Sequence, residues 1–381
     1  MRSLILVLCL SLSAGISFGQ RYKFTINAET PEGALLQQIG QEEDPAKKLG
    51  LLEQFAGQYG KHESIAWVYF QMHQNYTKTQ QWTKAIEAGE KVLSIDGTDH
   101  EVAFGNLKAA EALKDLELIR KWAVQSSDVS RKVMESAAPE DEEEKEQWKQ
   151  SIERAKGMDT YSEYALFTAA AGAVNQPKQL ALMVETLEAL NPKSQYLSQI
   201  YAPYVYSLQQ SGEKDKAITS AETAIGNGHN NEDLLILVAG SYIEKKNPEK
   251  VLQYASQVVQ SLESKPKPEN ISDADWDKKK SALLGGAHFM MGVTYSGQNK
   301  LAEADKSLRS ALPLISGDQQ TQAEALFHLG LVNYKLSRAQ KNKGRMKDAL
   351  TFTQQCAAIK SRFQAQARKN LAVIKSDPLS R

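Results

Sequence analysis

Cysteine is almost missing from this chain: its 381 residues include two, Cys9 and Cys356. Cys9 belongs to an apolar leader, so removing that leader leaves one thiol and no intramolecular disulfide. Stability then has to come from packing. Charge of one sign is missing too, because 46 basic residues balance 46 acidic ones. That balance argues against a general nucleic-acid or membrane footprint and leaves only local asymmetries. Long apolar runs are absent beyond the first residues. In MRSLILVLCLSLSAGISFGQ the run from Leu4 to about Leu12 follows Arg2 and gives way to small residues before Gln20. It falls short of the roughly 20 residues a bilayer requires and has the pattern of a cleavable secretory signal over 1–19. Cys9 follows Leu8 inside the run, whereas a lipid-modified cysteine is expected after small residues at its end. The expectation is an exported chain, periplasmic or secreted.

Catalytic spacing is also lacking. His62, His73, His100, His229, His288 and His328 are scattered singly, with no H-E-x-x-H and no cysteine pair to hold a metal. A G-x-S-x-G elbow, a phosphate-binding G-x4-G-K-[ST] and a strand-linked G-x-G-x-x-G are all absent. Cys356 sits in QQCAAIKS, where a helix takes a small core residue. The reading is a chain without enzymatic activity, metal or cofactor.

What is present is a period. Tyr76 is followed nine residues later by Ala85, Leu208 by Ala217, Tyr242 by Val251 and Tyr295 by Ala304; Leu208 to Tyr242 and Tyr76 to Ala110 each span one repeat. Helical stripes flank each pair: Leu301, Ala304, Leu308, Ala311 and Leu312 share one face at spacings of three and four. Each unit reads as a helical hairpin. Met291-Gly292-Val293-Thr294-Tyr295, with Ala304, Leu308 and Ala311 after it, resembles the L-G-x2-Y…A-x3-F pattern of the tetratricopeptide repeat family. Leu329-Gly330 repeats the pair, and Asn191-Pro192 and Asp96-Gly97 end second helices. Glycine within a helix costs about 1 kcal/mol relative to alanine; a close helix crossing at Gly292 is the expected compensation.

The resemblance implies an all-α fold, a superhelical solenoid of about eight hairpins with a C-terminal capping helix. Units begin near Glu29, Ala66, His100, Tyr161, Ser198, Glu232, Gly285 and Ala323. Pro203 falls inside a first helix, where it should kink or shorten it. The organisation read from these patterns is a signal peptide over 1–19, N-terminal hairpins over 20–136 and an inserted acidic helix over 137–160. Central hairpins follow over 161–263, a Pro/Lys/Asp-rich insertion over 264–284, C-terminal hairpins over 285–362, and a capping helix and tail over 363–381. The insertion's Asp273, Asp275 and Asp277 imitate a calcium loop, but Lys278 and Leu284 occupy its glycine and closing glutamate positions. Ser272 as a helix N-cap explains the same residues without metal. In the last unit the turn is expected to be several residues longer than elsewhere.

First helices of such arrays supply the binding surface. By the family's register that face holds Phe70, Gln74, Phe104, Lys108, Tyr206, Ile236, Phe289, Val293, Phe327 and Leu331. The stripe is mostly apolar and lacks the lysine and asparagine of relatives that grip a C-terminal carboxylate. It suits a protein or peptide partner presenting an amphipathic helix or an extended apolar segment. An alternative site is the basic end, where Lys335, Arg338, Lys341, Lys343, Arg345 and Lys347 gather without an acid among them. That patch would meet an anionic polymer or membrane surface.

Overall fold

The computed structural model describes residues 21–380 apart from Lys23, Asn230 and Asn270; the expected signal peptide over 1–19 lies outside the described residues. Seventeen α-helices, a final 3-10 turn and no strand occur among the described residues. The helices run in pairs joined by short turns: α1 (Pro31–Gln41) and α2 (Pro45–Gln58), α3 (Ile65–Lys78) and α4 (Trp82–Ile95), α5 (His100–Leu113) and α6 (Leu116–Met134), α7 (Glu142–Gly172) and α8 (Pro177–Leu190). Then come α9 (Leu197–Gln210) and α10 (Lys214–Gly226), α11 (Glu232–Glu244) and α12 (Pro248–Ser264), α13 (Asp273–Gly297) and α14 (Leu301–Ala311), α15 (Gln319–Gln340) and α16 (Lys343–Ala358), and a closing α17 (Gln364–Ser376). The chain divides into two compact units, Met1–Ile200 and Tyr201–Arg381. In unit 1 each hairpin packs on the next and the first helices α3, α5 and α7 touch one another; in unit 2 the same holds for α11, α13, α15 and α17.

The sequence period has a local cause. At six of the turns within hairpins one residue takes the left-handed conformation: Gln80, Lys114, Gly212, Lys246, Asn299 and Lys341. The next residue's N–H then reaches back five positions to a carbonyl of the first helix: Gln81 to Tyr76 at 2.8 Å, Glu213 to Leu208 at 2.9 Å, Asn247 to Tyr242 at 3.0 Å and Lys300 to Tyr295 at 2.9 Å. This bond closes a Schellman-type cap and satisfies a carbonyl the helix itself leaves open. The recurring tyrosine position is therefore the acceptor of the turn. The small residue nine later lies where the second helix meets the first, and Ala85, Ala217 and Ala304 are fully buried.

Five of those six left-handed residues are not glycine, a conformation that costs roughly 1–2 kcal/mol for an L-residue. Lys114 is exposed at φ 56°. Lys114→Gly is expected to remove that strain, less about 0.5–1 kcal/mol of added chain entropy, and so to raise the thermal midpoint of unit 1 slightly. A lowered midpoint, followed by helical circular dichroism, would contradict the account.

Helix starts follow side-chain caps. Asp44 accepts from Ala46 and Lys47 ahead of Pro45, Asp141 from Glu143 and Glu144, and Ser272 from Asp275, each supplying an acceptor for open N–H groups. The Ser272 cap accounts for Asp273 and Asp275 of the calcium-like aspartates as first-turn residues of α13, with Asp277 in the turn after.

Four sequence expectations change. The acidic stretch is not a separate inserted helix ending near 160: α7 runs unbroken for 31 residues and includes the first helix of the next hairpin. Likewise α13 absorbs part of the 264–284 insertion. Asp159 and Thr160 have the character of helix caps, but inside α7 Thr160 Oγ1 donates to the Lys156 carbonyl and Asp159 accepts from Arg131, and the single Gly157 is tolerated. The last turn is not lengthened, because α15 extends to Gln340 and only Lys341 and Asn342 separate it from α16. Pro203 does not shorten its helix either, since α9 has 14 residues, as α3 and α5 do.

Candidate functional site

The expected first-helix stripe separates into covered and open residues. Phe70 is buried: the Tyr22 ring lies 5.5 Å from it. That N-terminal segment is pinned by Tyr22 Oη donating to Asp99 at 2.7 Å and by Arg21 donating to both oxygens of Asp96, at 2.5 and 2.8 Å. Phe24 packs beyond it against Trp67, the tilted rings 5.3 Å apart. Burial pushes the Asp96 carboxyl up, but Arg21 and Thr98 outweigh it and bring it down to about 2. Gln74 beside this region is half-buried.

In unit 2 the stripe belongs largely to the core. Phe289 and Val293 pack on Leu308, Ala325 and Leu329. Phe327 lies 5.0 Å from Phe363, at the start of α17. Ile236 is half-buried opposite Gly286, where an added methyl would sit 3.6 Å from it, and Leu331 is half-buried. Tyr206 differs, being 59% exposed.

The open part of the stripe lies in unit 1, around Phe104 and Lys108. The Phe104 ring meets Tyr161 edge-on at 5.3 Å, Tyr161 meets Tyr164 at 5.7 Å, and Tyr164 meets Tyr196 at 5.6 Å. Phe167 stacks on Tyr196 at 5.5 Å. These five rings form a continuous strip from α5 across α7 to the segment before α9, with Tyr164 40% exposed. Lys108 closes one end: its Nζ donates to Glu111 and to Tyr161 Oη, each at 2.6 Å, and lies 4.4 Å from the Tyr161 ring centre. Burial lowers the Lys108 pKa, but those two hydrogen bonds reverse it and the ammonium ends above its ordinary value.

The strip is held from below. Ser162, Ala165, Leu166, Ala169 and Ala170 form the buried face of α7, so Tyr161, Tyr164 and Phe167, spaced by three, leave by an adjacent face. Asp159 accepts from Ser127 and, at 3.2 Å, from Arg131, which ties α7 to α6. Asn191 donates to Glu163 at 2.8 Å and so holds the segment that carries Tyr196.

The basic group near the C-terminus is partly neutralised by acids distant in sequence. Arg345 donates to Asp305 at 2.5 Å, and Arg338 lies 3.2 Å from Asp377. Lys335 donates to Asn299 at 3.1 Å. Lys341 forms the hairpin turn, while Lys343 and Lys347 are exposed on α16.

Paired helices in chain order, a Schellman-type turn closing on the periodic tyrosine, and a buried small residue nine positions on define the architecture. The array is tetratricopeptide-like. No family model and no curated protein matches the chain. Among solved structures it is similar to one titled as the crystal structure of the P58(IPK) TPR domain, at 11% identity over 91% of this chain and 98% of that one, with a TM-score of 0.26. The tetratricopeptide-like assignment therefore stands on the hairpin geometry itself.

Sequence reasoning placed Phe104 and Lys108 on the exposed face but missed Tyr161, Tyr164, Phe167 and Tyr196. The signal was YSEYALF, aromatic at every third position. Counting from Tyr161 as a helix start gave the wrong phase, because α7 begins at Glu142.

Proposed function

We propose that the chain is a non-catalytic scaffold that binds another protein through the aromatic strip of unit 1. The observation that carries this reading is the row of rings from Phe104 to Tyr196, open to solvent at Tyr164. Contiguous apolar surface that reaches solvent marks interaction sites, and tyrosines provide large, rigid contact area at low entropic cost; four of the five rings are half-buried and Tyr164 is exposed. First-helix faces of hairpin arrays are the surfaces such proteins use. The partner chemistry that fits is an extended segment with apolar side chains laid across the rings. The buried thiol of Cys356, pushed up to about 11 by burial, supports a core role for that residue over a nucleophilic one. We also propose export to a bacterial envelope, on the basis of the leader pattern over 1–19.

Both proposals are tested by recovering the tagged chain with its partner from an envelope fraction. Tyr164→Ala combined with Tyr196→Ala should remove about 2 kcal/mol or more of binding energy, roughly a thirtyfold loss of affinity, with helical circular dichroism unchanged. Wild-type affinity in that variant would defeat the strip as the binding surface. Mass spectrometry of the recovered chain should find an N-terminus just beyond Gly19; a chain still beginning at Met1 would contradict export.

A further inference from the structure

A cavity of about 850 Å³ opens in unit 1 where the N-terminal segment, the start of α5, the end of α6 and the first turns of α7 come together. Its size is that of a small-molecule site. Three of its walls are aromatic: Tyr22, Phe70 and Trp148. The Trp148 ring is oriented by its indole N–H, which donates to Ser136 Oγ at 2.9 Å.

The charges around the cavity are unequal. Acids Asp99, Glu101, Asp141, Glu143 and Glu144 face bases Arg21, Lys132 and Arg154. Most of these are already engaged. Arg21 lies 3.7 Å from Asp99 and is bonded to Asp96, Arg154 lies 3.0 Å from Glu101, and Asp141 caps α7. The carboxylates of Glu143 and Glu144 remain without a cation among the described residues, opposed only by the exposed ammonium of Lys132. The carbonyl end of α6 adds partial negative charge to the same rim.

One more group lacks a counterpart. His100 lines the cavity and is 3% exposed, yet neither of its ring nitrogens has a hydrogen-bond partner. Buried polar groups are nearly always satisfied, and a buried exception calls for a partner. Burial lowers the pKa of this imidazole and so favours the neutral ring, which offers one acceptor nitrogen and one donor.

We propose that this cavity binds an aliphatic ammonium compound, with Glu143 and Glu144 taking its charge, Trp148 and Phe70 its hydrocarbon stem, and the acceptor nitrogen of His100 a further N–H. A free polyamine and a lysine side chain of a peptide share this chemistry. The site is independent of the aromatic strip and goes beyond protein binding.

The test is titration calorimetry on the full chain with three probes: spermidine, Nα-acetyl-lysine N-methylamide, and citrate as an anionic control. Saturable binding of either amine, and none of citrate, is expected; the amine that binds identifies the source. Glu143→Gln with Glu144→Gln should weaken it at least tenfold, and Trp148→Leu severalfold. All three positions are at or near the surface, so helix content should persist in both variants. Absence of saturable amine binding, preferential binding of citrate, or a loss confined to the glutamate variant, which would indicate unspecific surface attraction, overturns the proposal.

Discussion

Gly292→Ala is expected to destabilise unit 2 by about 2 kcal/mol, although alanine is the better helix former by about 1 kcal/mol. A methyl at Gly292 would lie 2.5 Å from Leu308 Cγ, 2.8 Å from its Cδ2 and 3.0 Å from its backbone nitrogen. Leu308 is fully buried against Ala325 and Leu329. Its side chain has no free direction in which to yield, and its backbone belongs to α14. Separating the two helices would open the core that α13, α14 and α15 share. Gly157, inside α7, is the contrast, because nothing lies within 4 Å of the position a methyl would take. Gly157→Ala should gain up to about 1 kcal/mol. Thermal unfolding of both variants followed by circular dichroism checks the pair; two shifts of the same sign would refute the close-crossing account of Gly292.

The second large effect is at Asp305, whose side chain is 7% exposed. It accepts from Arg309 at 2.8 Å, from Arg345 at 2.5 Å and from the fully buried Asn333 at 2.7 Å. Asp305→Ala removes the acceptor shared by two guanidinium groups and a buried amide, each of which keeps one other: Asp348 for Arg309, Asn333 Oδ1 for Arg345 and the Leu329 carbonyl for Asn333; breaking a fully buried pair costs several kcal/mol. The arginine side chains are about one third exposed, so solvent screening brings the expected loss to about 2–3 kcal/mol. Burial pushes the Asp305 carboxyl up, but donation from Asn333, Arg345 and Arg309 prevails and holds it below its ordinary value. A carboxyl held low in the folded state contributes fully above its unfolded value, near 3.9. That contribution disappears as pH falls through the folded value. Wild type and Asp305→Asn should therefore differ most near neutrality and converge as pH falls through the folded value. Urea midpoints measured across that range decide it, and a gap that persists in acid would exclude the charge as the cause.

The hairpin array was legible because its determinants are local. The tyrosine position closes a turn five residues on, the alanine nine residues later sits at a helix crossing, and Gly292 marks where two helices approach. Each lies within one repeat, so self-comparison of the chain finds them. The site was only half legible. Phe104 and Lys108 could be placed because α5 begins at His100 with an Asp99 cap, whereas Thr160 with Glu163 three residues on imitates a helix start in the middle of α7. Other features depend on distant partners: the N-terminal segment covering Phe70, Asp377 reaching Arg338, and Asp305 holding Arg345 from 40 positions away. No spacing rule conveys such contacts.

The length of α7 imposes a constraint on the chain. Trp148 at the cavity and Tyr161 at the head of the strip stand on one uninterrupted helix, roughly 20 Å apart along its axis, with no loop between them to absorb a change. Each residue added or removed in that interval would turn everything beyond it by about 100°, carrying the rings off their face. The number of residues there is fixed as firmly as the identity of Ala155 and Asp159, which pack and tie the same stretch.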